Sequence, residues 1–363
     1  MKIIYVPIEP LAERYTEQWY RRIPEAFRMA GFEVEVIDGQ PLTDTVKVGT
    51  FLDINSTTHY KWSQLMQISK LFQDRKVVPG SVFFFGDIEF WGIEAVRLLA
   101  TMNQVPIKMT GFLHAGSYTK EDAFAVAAPY QQYTEVGWVA CMDRVFVGSD
   151  YHRKAFYERR LTPLKANHLI DRIVVTSNPV FLEEYPKITV PKQKKVLLTN
   201  RFDHEKRPAE TLQLFAYLKG RFPEWEFVVT TGRAELRGTP ADMRCLADCV
   251  TKGIVIVKAG LTKAQYHQEL AEAYMMVSHS IEENYGYCIV EAAIYDCIPL
   301  LRAGCSHDEM PGISLSSVQM CKHALVLLES FDTSGLPKAS GIFDRTVNTS
   351  GMQNIIDEIK GLL

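Results

Sequence analysis

The sequence has 363 residues, about twice the length of a typical domain, so two domains of roughly 180 residues each are expected. Hydrophobic residues make up 47% and charged residues 23%, with 22 Gly and 17 Pro, which excludes a largely disordered or fibrous chain. The formal net charge of −3 gives no overall attraction to nucleic acid, although a local basic patch can still supply one.

The apolar runs and the cysteines indicate the compartment. The longest apolar runs, residues 81–85 and 254–257, are far shorter than the roughly 20 residues that cross a bilayer. The first seven residues read as a strand and not as a signal peptide. Seven scattered cysteines are not spaced as disulfide pairs, which is typical of a reducing compartment. We therefore expect a cytoplasmic protein without a membrane span.

The first half of the sequence alternates strands with helices. Apolar runs and alternating patterns predict strands at 2–6, 32–37, 82–85, 107–113 and 144–147. Helical patterns fall between them, at 15–29, 91–102 and 123–138. Strands separated by helices of this length predict a parallel sheet with helices on both faces.

A proline-rich stretch without apolar periodicity, residues 176–195, is the best candidate for a linker. After it the alternation resumes, with strands predicted at 196–199, 226–230, 253–257, 275–278 and 298–301 and helices at 208–221, 263–273 and 288–295. We predict domains at 1–180 and 181–340, with C-terminal helical material at 341–363 packing back on the first. Ligands of such sheets bind beyond the carboxyl ends of the strands, so motifs there matter most.

Two glutamates, Glu283 and Glu291, enclose seven residues where a strand end turns into an apolar helix. Backbone amides near Gly286 and Tyr287 would suit a phosphate, and the carboxylates could accept hydrogen bonds from sugar hydroxyls. A nucleotide sugar has both groups. The alternative is a solvated loop with a glutamate that complements the helix dipole.

Two cations, Arg201 and Lys206, follow the first strand of the second half. A guanidinium and an ammonium group on that loop suit a diphosphate. The alternative is a solvated basic turn that pairs with Asp203 and Glu205.

The order of these motifs resembles that of the retaining glycosyltransferases of the GT-B fold. The resemblance covers residues 196–301 and rests on Arg201 and Lys206, then residues 259–261, 280–286 and 291–293. The sequence departs from the family in having Asn284 and Asp296 where Gly is usual, and one extra residue before Pro299.

The resemblance implies a fold and a set of roles. The fold would be α/β, with two Rossmann-like doubly wound domains facing across a cleft. Arg201 and Lys206 would hold the donor diphosphate, Glu283 would contact the transferred sugar, and Glu291 would bind the ribose. The expected donor site is completed by Gly260, Ser280, Tyr285, Gly286 and Tyr287.

The first half offers candidates for catalysis and acceptor binding. His114 ends a predicted strand, and the family often has a His at the matching place near the reacting sugar; the alternative is a helix-capping histidine. Asp87 ends the preceding strand and could bind the acceptor or cap a helix. The loop after the first strand, with Arg14 and Tyr15, lies where GT-B proteins bind acceptor. His114 and Glu283 are thus the catalytic candidates.

A basic strip, residues 151–168, carries five Lys or Arg against one Glu, with aromatic residues between them. Its Arg159 and Arg160 would contact an acceptor, although a solvated amphipathic helix is the alternative. Through residues 8–11, 14–19 and 51–56, the N-terminal half also resembles glycosyltransferase-like proteins encoded by bacteriophages, and phages use such enzymes to glycosylate hydroxymethylated bases in their own DNA. That resemblance implies a 5-hydroxymethylpyrimidine in DNA as acceptor, and the host cytoplasm as the location.

The sequence therefore predicts a retaining transferase that moves a hexose or pentose from a nucleoside-diphosphate sugar, expected to be a UDP-sugar, to an acceptor hydroxyl. No residue is assigned to a metal and no cofactor is required, while participation of a divalent metal stays open. The alternatives are a same-fold enzyme acting on a glycan or small molecule, and a nucleotide-sugar-binding protein without turnover. The sequence leaves the sugar and the oligomeric state undetermined.

Overall fold

The computed structural model describes residues 1–11, 14–42, 53–120, 123–232, 235–331 and 347–363. The chain divides into two compact units. The first comprises Met1–Glu184 and Asn348–Leu363, and the second comprises Tyr185–Val347. In the described ranges, no helix combines the length and the apolar character that spanning a membrane would need.

The first unit is built on a sheet of six parallel strands in the order β2-β1-β3-β4-β5-β6. The central strand β3 is the apolar run Val-Phe-Phe-Phe, and all four residues are buried because helices cover both faces of the sheet. The strands are β1 Lys2–Val6, β2 Glu33–Val36, β3 Val82–Phe85, β4 Lys108–Phe112, β5 Arg144–Val147 and β6 Ile173–Val175.

Among the described residues, the α-helices of this unit that precede the domain boundary are α1 Tyr15–Met29, α2 Ile54–Gln73, α3 Ile93–Met102, α4 Ala128–Cys141 and α5 Asp150–Phe156. A π-helical turn, Tyr157–Leu161, follows α5 directly. The sequence did not predict α2, whose start is fixed by the Asp53 carboxylate, which accepts hydrogen bonds from the amides of Asn55 and Ser56.

The second unit repeats the plan with six parallel strands in the order β12-β11-β10-β7-β8-β9. The strands are β7 Gln193–Leu198, β8 Glu226–Thr230, β9 Ile256–Lys258, β10 Ala273–Ser278, β11 Ile298–Arg302 and β12 Ile313–Leu315. The helices are α6 Pro208–Arg221, α7 Pro240–Thr251, α8 Lys263–Glu272, α9 Tyr287–Ile294 and α10 Ser317–Glu329. The predicted strand at 253–257 begins later, because the Ile254 amide still bonds to Cys249 in the turn that ends α7.

Each sheet reverses its strand order once. In the first unit the reversal lies between β1 and β3, and in the second between β7 and β10. Loops that leave two such neighbouring strands run to opposite faces of the sheet and leave a crevice at their carboxyl ends. The predicted α/β, doubly wound architecture is therefore confirmed for both units, and these two crevices are the places to look for sites.

The last helix, α11 (Gly351–Gly361), belongs to the first unit. Its buried face includes Met352, Ile355 and Ile359, and Arg144 on β5 pairs with Glu358 at 3.3 Å. Gly351 lies so close to the chain at Asn178 that a Cβ atom there would be 2.6 Å from the Asn178 carbonyl oxygen. A side chain at this position would therefore force α11 or its neighbour to shift.

We expect the Gly351→Ala substitution to lower the free energy of unfolding by about 1–3 kcal/mol, since the added methyl group forces α11 away from its neighbour. Gly361→Ala is the matched control, because it lies on the same helix and a methyl group added there would meet nothing within 4 Å, so it should change stability by less than about 0.5 kcal/mol. Urea denaturation of both variants measures this. Equal free energies of unfolding for the two variants would contradict the close approach of Gly351 to Asn178.

Candidate functional site

In the second unit, three loops meet beyond the carboxyl ends of β7, β10 and β11. The Ile281 amide donates to the Glu205 carbonyl at 2.9 Å, which joins the loops after β7 and β10. The Ser306 amide donates to the Glu283 carbonyl at 3.1 Å, which adds the loop after β11. The predicted residues Lys206 and Glu283 lie on two of these loops, at the point of strand reversal.

The buried Lys206 and the half-buried Glu283 form an ion pair, with 2.7 Å between Nζ and Oε2. Lys206 is 7% exposed and also lies 3.4 Å from the Glu282 carbonyl oxygen. Burial opposes its charge, but the carboxylates of Glu283 and Glu205 outweigh that effect and raise the pKa of Lys206. The site thus holds a fixed positive charge next to a carboxylate.

Arg201 lies on the same loop as Lys206, with Glu205 between them. Its guanidinium pairs with Asp203 at 2.5 Å and with Glu205 at 2.9 Å. Burial raises the pKa of Glu205, although both neighbouring cations oppose this. The alternative interpretation, a basic turn paired with acidic neighbours, describes Arg201 but not Lys206, which is buried and pairs with Glu283 across the loops.

The segment between the two predicted glutamates forms the start of α9. Gly286 precedes the helix, Tyr287 is its first residue, and the rings of Tyr285 and Tyr287 pack edge to face with centroids 5.2 Å apart. The first amides of any helix have no carbonyl partner within it, so this end can receive an anion. The carboxylate of Glu283 lies on the loop that leads into it.

Glu291 is buried on α9, and its Oε1 lies 3.1 Å from Nζ of Lys263, the first residue of α8. Gly260, with a φ of +66°, lies just before that helix. The sequence analysis did not assign Lys263 to the site. Ser280 is buried, with its hydroxyl 3.3 Å from that of Ser278, and its donor contact stays a prediction.

In the first unit, a pocket of about 140 Å³ lies at the reversal between β1 and β3. His114 lies on its wall, with Nε2 2.8 Å from the Gly86 carbonyl and Nδ1 3.3 Å from the Tyr15 hydroxyl. Because a carbonyl only accepts, Nε2 carries the proton and Tyr15 donates to Nδ1. Burial lowers the pKa of His114 against the opposing charge of Asp87, which favours a neutral imidazole.

Asp87 lines the same pocket and pairs with Lys61 at 2.9 Å. Burial works to raise its pKa, but Lys61 and His114 outweigh that effect, and the pKa of Asp87 is lowered. Lys61 also bonds to the Glu89 carbonyl and lies 5.1 Å above the ring of Trp91. The sequence analysis missed Lys61 because it lies on the unpredicted helix α2.

The predicted acceptor residues divide into two groups. Arg14 and Tyr15 line the pocket with Asp87. Arg159 and Arg160 lie on the π-helical turn and do not line it. Arg160 is 7% exposed and its guanidinium pairs with Glu135, so it is not presented to solvent. The acceptor contact of Arg159 and Arg160 stays a prediction.

Within the described ranges, no group of three or more His, Cys, Asp or Glu side chains is arranged to hold a metal ion.

No protein-family model matches the sequence, and no curated protein matches it. Solved structures match nearly all of the chain. The apo form of the lipopolysaccharide outer core galactosyltransferase WaaB is 14% identical, with full coverage of both chains and a TM-score of 0.65. The catalytic domain of starch synthase IV from Arabidopsis thaliana, bound to ADP and acarbose, is 12% identical over 99% of this chain and 98% of its own, with a TM-score of 0.68. HepE from Anabaena, in complex with UDP and glucose, is 13% identical over 99% and 100%, with a TM-score of 0.61. At these identities the likeness shows the fold, which is the predicted GT-B fold.

The histidine before Ser280 makes stability depend on pH. His279 is buried, its Nδ1 lies 2.9 Å from the Thr211 hydroxyl, and burial lowers its pKa to about 4 from the ordinary 6.5. Between these values the unfolded chain binds more protons, so the free energy of unfolding falls as the pH falls from 6.5 to 4, by up to about 3 kcal/mol for this group.

We expect His279→Gln to reduce this pH dependence, measured as the urea-unfolding free energy at several pH values. His323→Gln, at an exposed position on α10, is the control and should leave the dependence unchanged. An identical slope in the parent and His279→Gln would show that His279 is not held neutral.

Proposed function

We propose that this protein is a retaining glycosyltransferase that moves a sugar from a nucleoside-diphosphate sugar, expected to be a UDP-sugar, to an acceptor hydroxyl. The observation that carries the proposal is the ion pair of the buried Lys206 with Glu283, beside the start of α9. Ammonium and helix-start amides suit a diphosphate, and a carboxylate suits sugar hydroxyls. The nucleotides bound to HepE and starch synthase IV support this ligand class.

In the proposed reaction, the bond between the anomeric carbon and the diphosphate breaks, and negative charge develops on the leaving diphosphate. Lys206, Arg201 and the first amides of α9 would stabilise that charge, since preorganised donors act most strongly where charge appears. Glu283 would bind the transferred sugar and Glu291 the nucleotide ribose. Arg201 and Lys206 now contact carboxylates, so donor binding must exchange some of these contacts for phosphate.

The pocket of the first unit is the proposed acceptor site. The ionised Asp87 can accept a hydrogen bond from an acceptor hydroxyl, and His114, Tyr15 and Arg14 line the same space. These contacts support a hydroxyl-bearing acceptor. A hydroxymethylpyrimidine in DNA stays our proposal for it on the sequence resemblance alone, and a glycan or small molecule is the second candidate.

The test begins with thermal shifts against a panel of nucleoside-diphosphate sugars, where a ligand at 100 times its Kd adds about 2.7 kcal/mol of stability. The best donor is then offered with hydroxymethylcytosine DNA, hydroxymethyluracil DNA, unmodified DNA and glycans, with magnesium or with EDTA. We expect transfer with the donor's anomeric configuration kept, read by NMR. An inverted product would reject retention, and donor binding without transfer or hydrolysis would favour a binding protein.

We expect Lys206→Met to weaken binding of the nucleoside diphosphate by roughly tenfold to hundredfold, since a charge-assisted contact contributes about 1.5–3 kcal/mol. Affinity for the nucleoside alone should hardly change. Lys194→Met is the control, because Lys194 is an exposed lysine whose partner is Glu224. Isothermal titration calorimetry measures both affinities for the parent and the two variants. A diphosphate affinity equal to that of the parent would remove Lys206 from the donor site.

A further inference from the structure

We propose that the buried Arg160–Glu135 ion pair is a positioning device that fixes the His114 loop, residues 114–119, and with it the imidazole in the pocket of the first unit. Neither residue lines that pocket. The proposal rests on the role proposed above for His114, and it gives a function to the basic turn that the DNA interpretation does not explain.

The pair holds the His114 loop through Ser117. Glu135 on α4 is 2% exposed; its Oε1 accepts a hydrogen bond from the Ser117 amide at 2.6 Å, and its Oε2 binds Arg160 Nε. A second guanidinium nitrogen of Arg160 donates to the Ser117 hydroxyl at 2.8 Å. Backbone and side chain of one loop residue are therefore bound by both members of the pair.

The neighbouring residue, Tyr118, is held in a similar way. Arg159 donates to its carbonyl at 3.1 Å, its ring lies 5.7 Å from the Arg160 guanidinium, and its hydroxyl bonds to the buried His152. Arg159 and Arg160 are consecutive, yet both contact the loop. They lie in the π-helical turn that follows α5, and such turns are frequent at functional sites.

The loop passes very close to the pair. A Cβ atom on Gly116 would lie 2.6 Å from Oε1 of Glu135, so the backbone there is pressed against the carboxylate. His114 lies two residues before this contact. The imidazole is bound on one side by Gly86 and Tyr15, and the loop that continues from it is bound by the pair. A shift of the loop would therefore move the imidazole.

Energetics favour positioning over stability as the reason for the pair. A buried ion pair contributes little net stability, because desolvation offsets the attraction, whereas loss of one partner is costly. Arg160→Met alone would leave a buried carboxylate without its cation. The double variant Arg160→Met with Glu135→Gln avoids this, and the amide oxygen of the introduced glutamine would still accept a hydrogen bond from the Ser117 amide.

The matched control is another ion pair of the same unit. Arg97 on α3 pairs with Asp143 at 2.7 Å. Asp143 also accepts a hydrogen bond from the amide of Met109, near the start of β4. The His114 loop leaves the other end of that strand. Arg97→Met with Asp143→Asn therefore removes another arginine–carboxylate pair, one that is partly exposed, without touching the loop.

The experiment records imidazole ¹⁵N spectra of the parent and both double variants without substrate, with the His114 signal assigned from His114→Gln. We expect the signal to shift or broaden in the loop double variant and to stay unchanged in the control. Transfer should fall by up to about 10²-fold in kcat/KM for the loop variant, since small misplacements cost that much, with donor affinity unchanged.

An unchanged His114 signal in a folded loop double variant would overturn the proposal. An equal shift of the His114 signal in the control double variant would also overturn it, because that would show a general loss of packing. The imidazole ¹⁵N spectra can be recorded whether or not the protein catalyses transfer. A parent without transfer would reject the proposed function, while the His114 signal would still decide whether the pair positions the loop.

Discussion

The architecture depends on one constraint, the reversal of strand order between two neighbouring parallel strands in each sheet. It opens a crevice at the carboxyl ends of β1 and β3 in the first unit and of β7 and β10 in the second. Strand ends are rigid because their backbones are bonded within the sheet, so side chains just beyond them are held firmly. Asp87 lies two residues beyond β3, whereas Glu283 lies five residues beyond β10 on a loop bonded to its neighbours, and each pairs with a buried lysine.

The two lysines solve the same electrostatic problem. A carboxylate that is removed from water tends to take up a proton, and it stays ionised only when a nearby cation compensates the lost hydration. Lys61 does this for Asp87, and Lys206 lies within an ion pair of Glu283. Both sites therefore present charged groups to a polar ligand. In each site the charged groups occur as an ion pair, Lys61 with Asp87 and Lys206 with Glu283, and not as single charges.

The features that the sequence predicted are those encoded by residues close together in the chain, such as the apolar strands. Central strands are apolar runs, and the residues just after them were correctly placed at strand ends. Helix α2 was missed because its buried side includes Lys61, Ser63 and Gln64, which interrupt the apolar period. Arg160 was predicted to contact an acceptor because it lies in a run of basic residues; its buried partner Glu135 lies 25 residues earlier, and no local pattern connects the two. Long-range pairing of charges is what one sequence leaves out.

The return of α11 to the first unit has a consequence for biosynthesis. Residues 348–363 complete a unit whose other residues precede position 185, while the second unit is continuous in the chain. During translation the second unit therefore emerges whole before the first has its final helix. Domains generally fold as units, N-terminal first, during synthesis. Here the first unit receives α11 only after residues 185–347 have been synthesised, so the contact of Asn178 with Gly351 forms only after the second unit has been made.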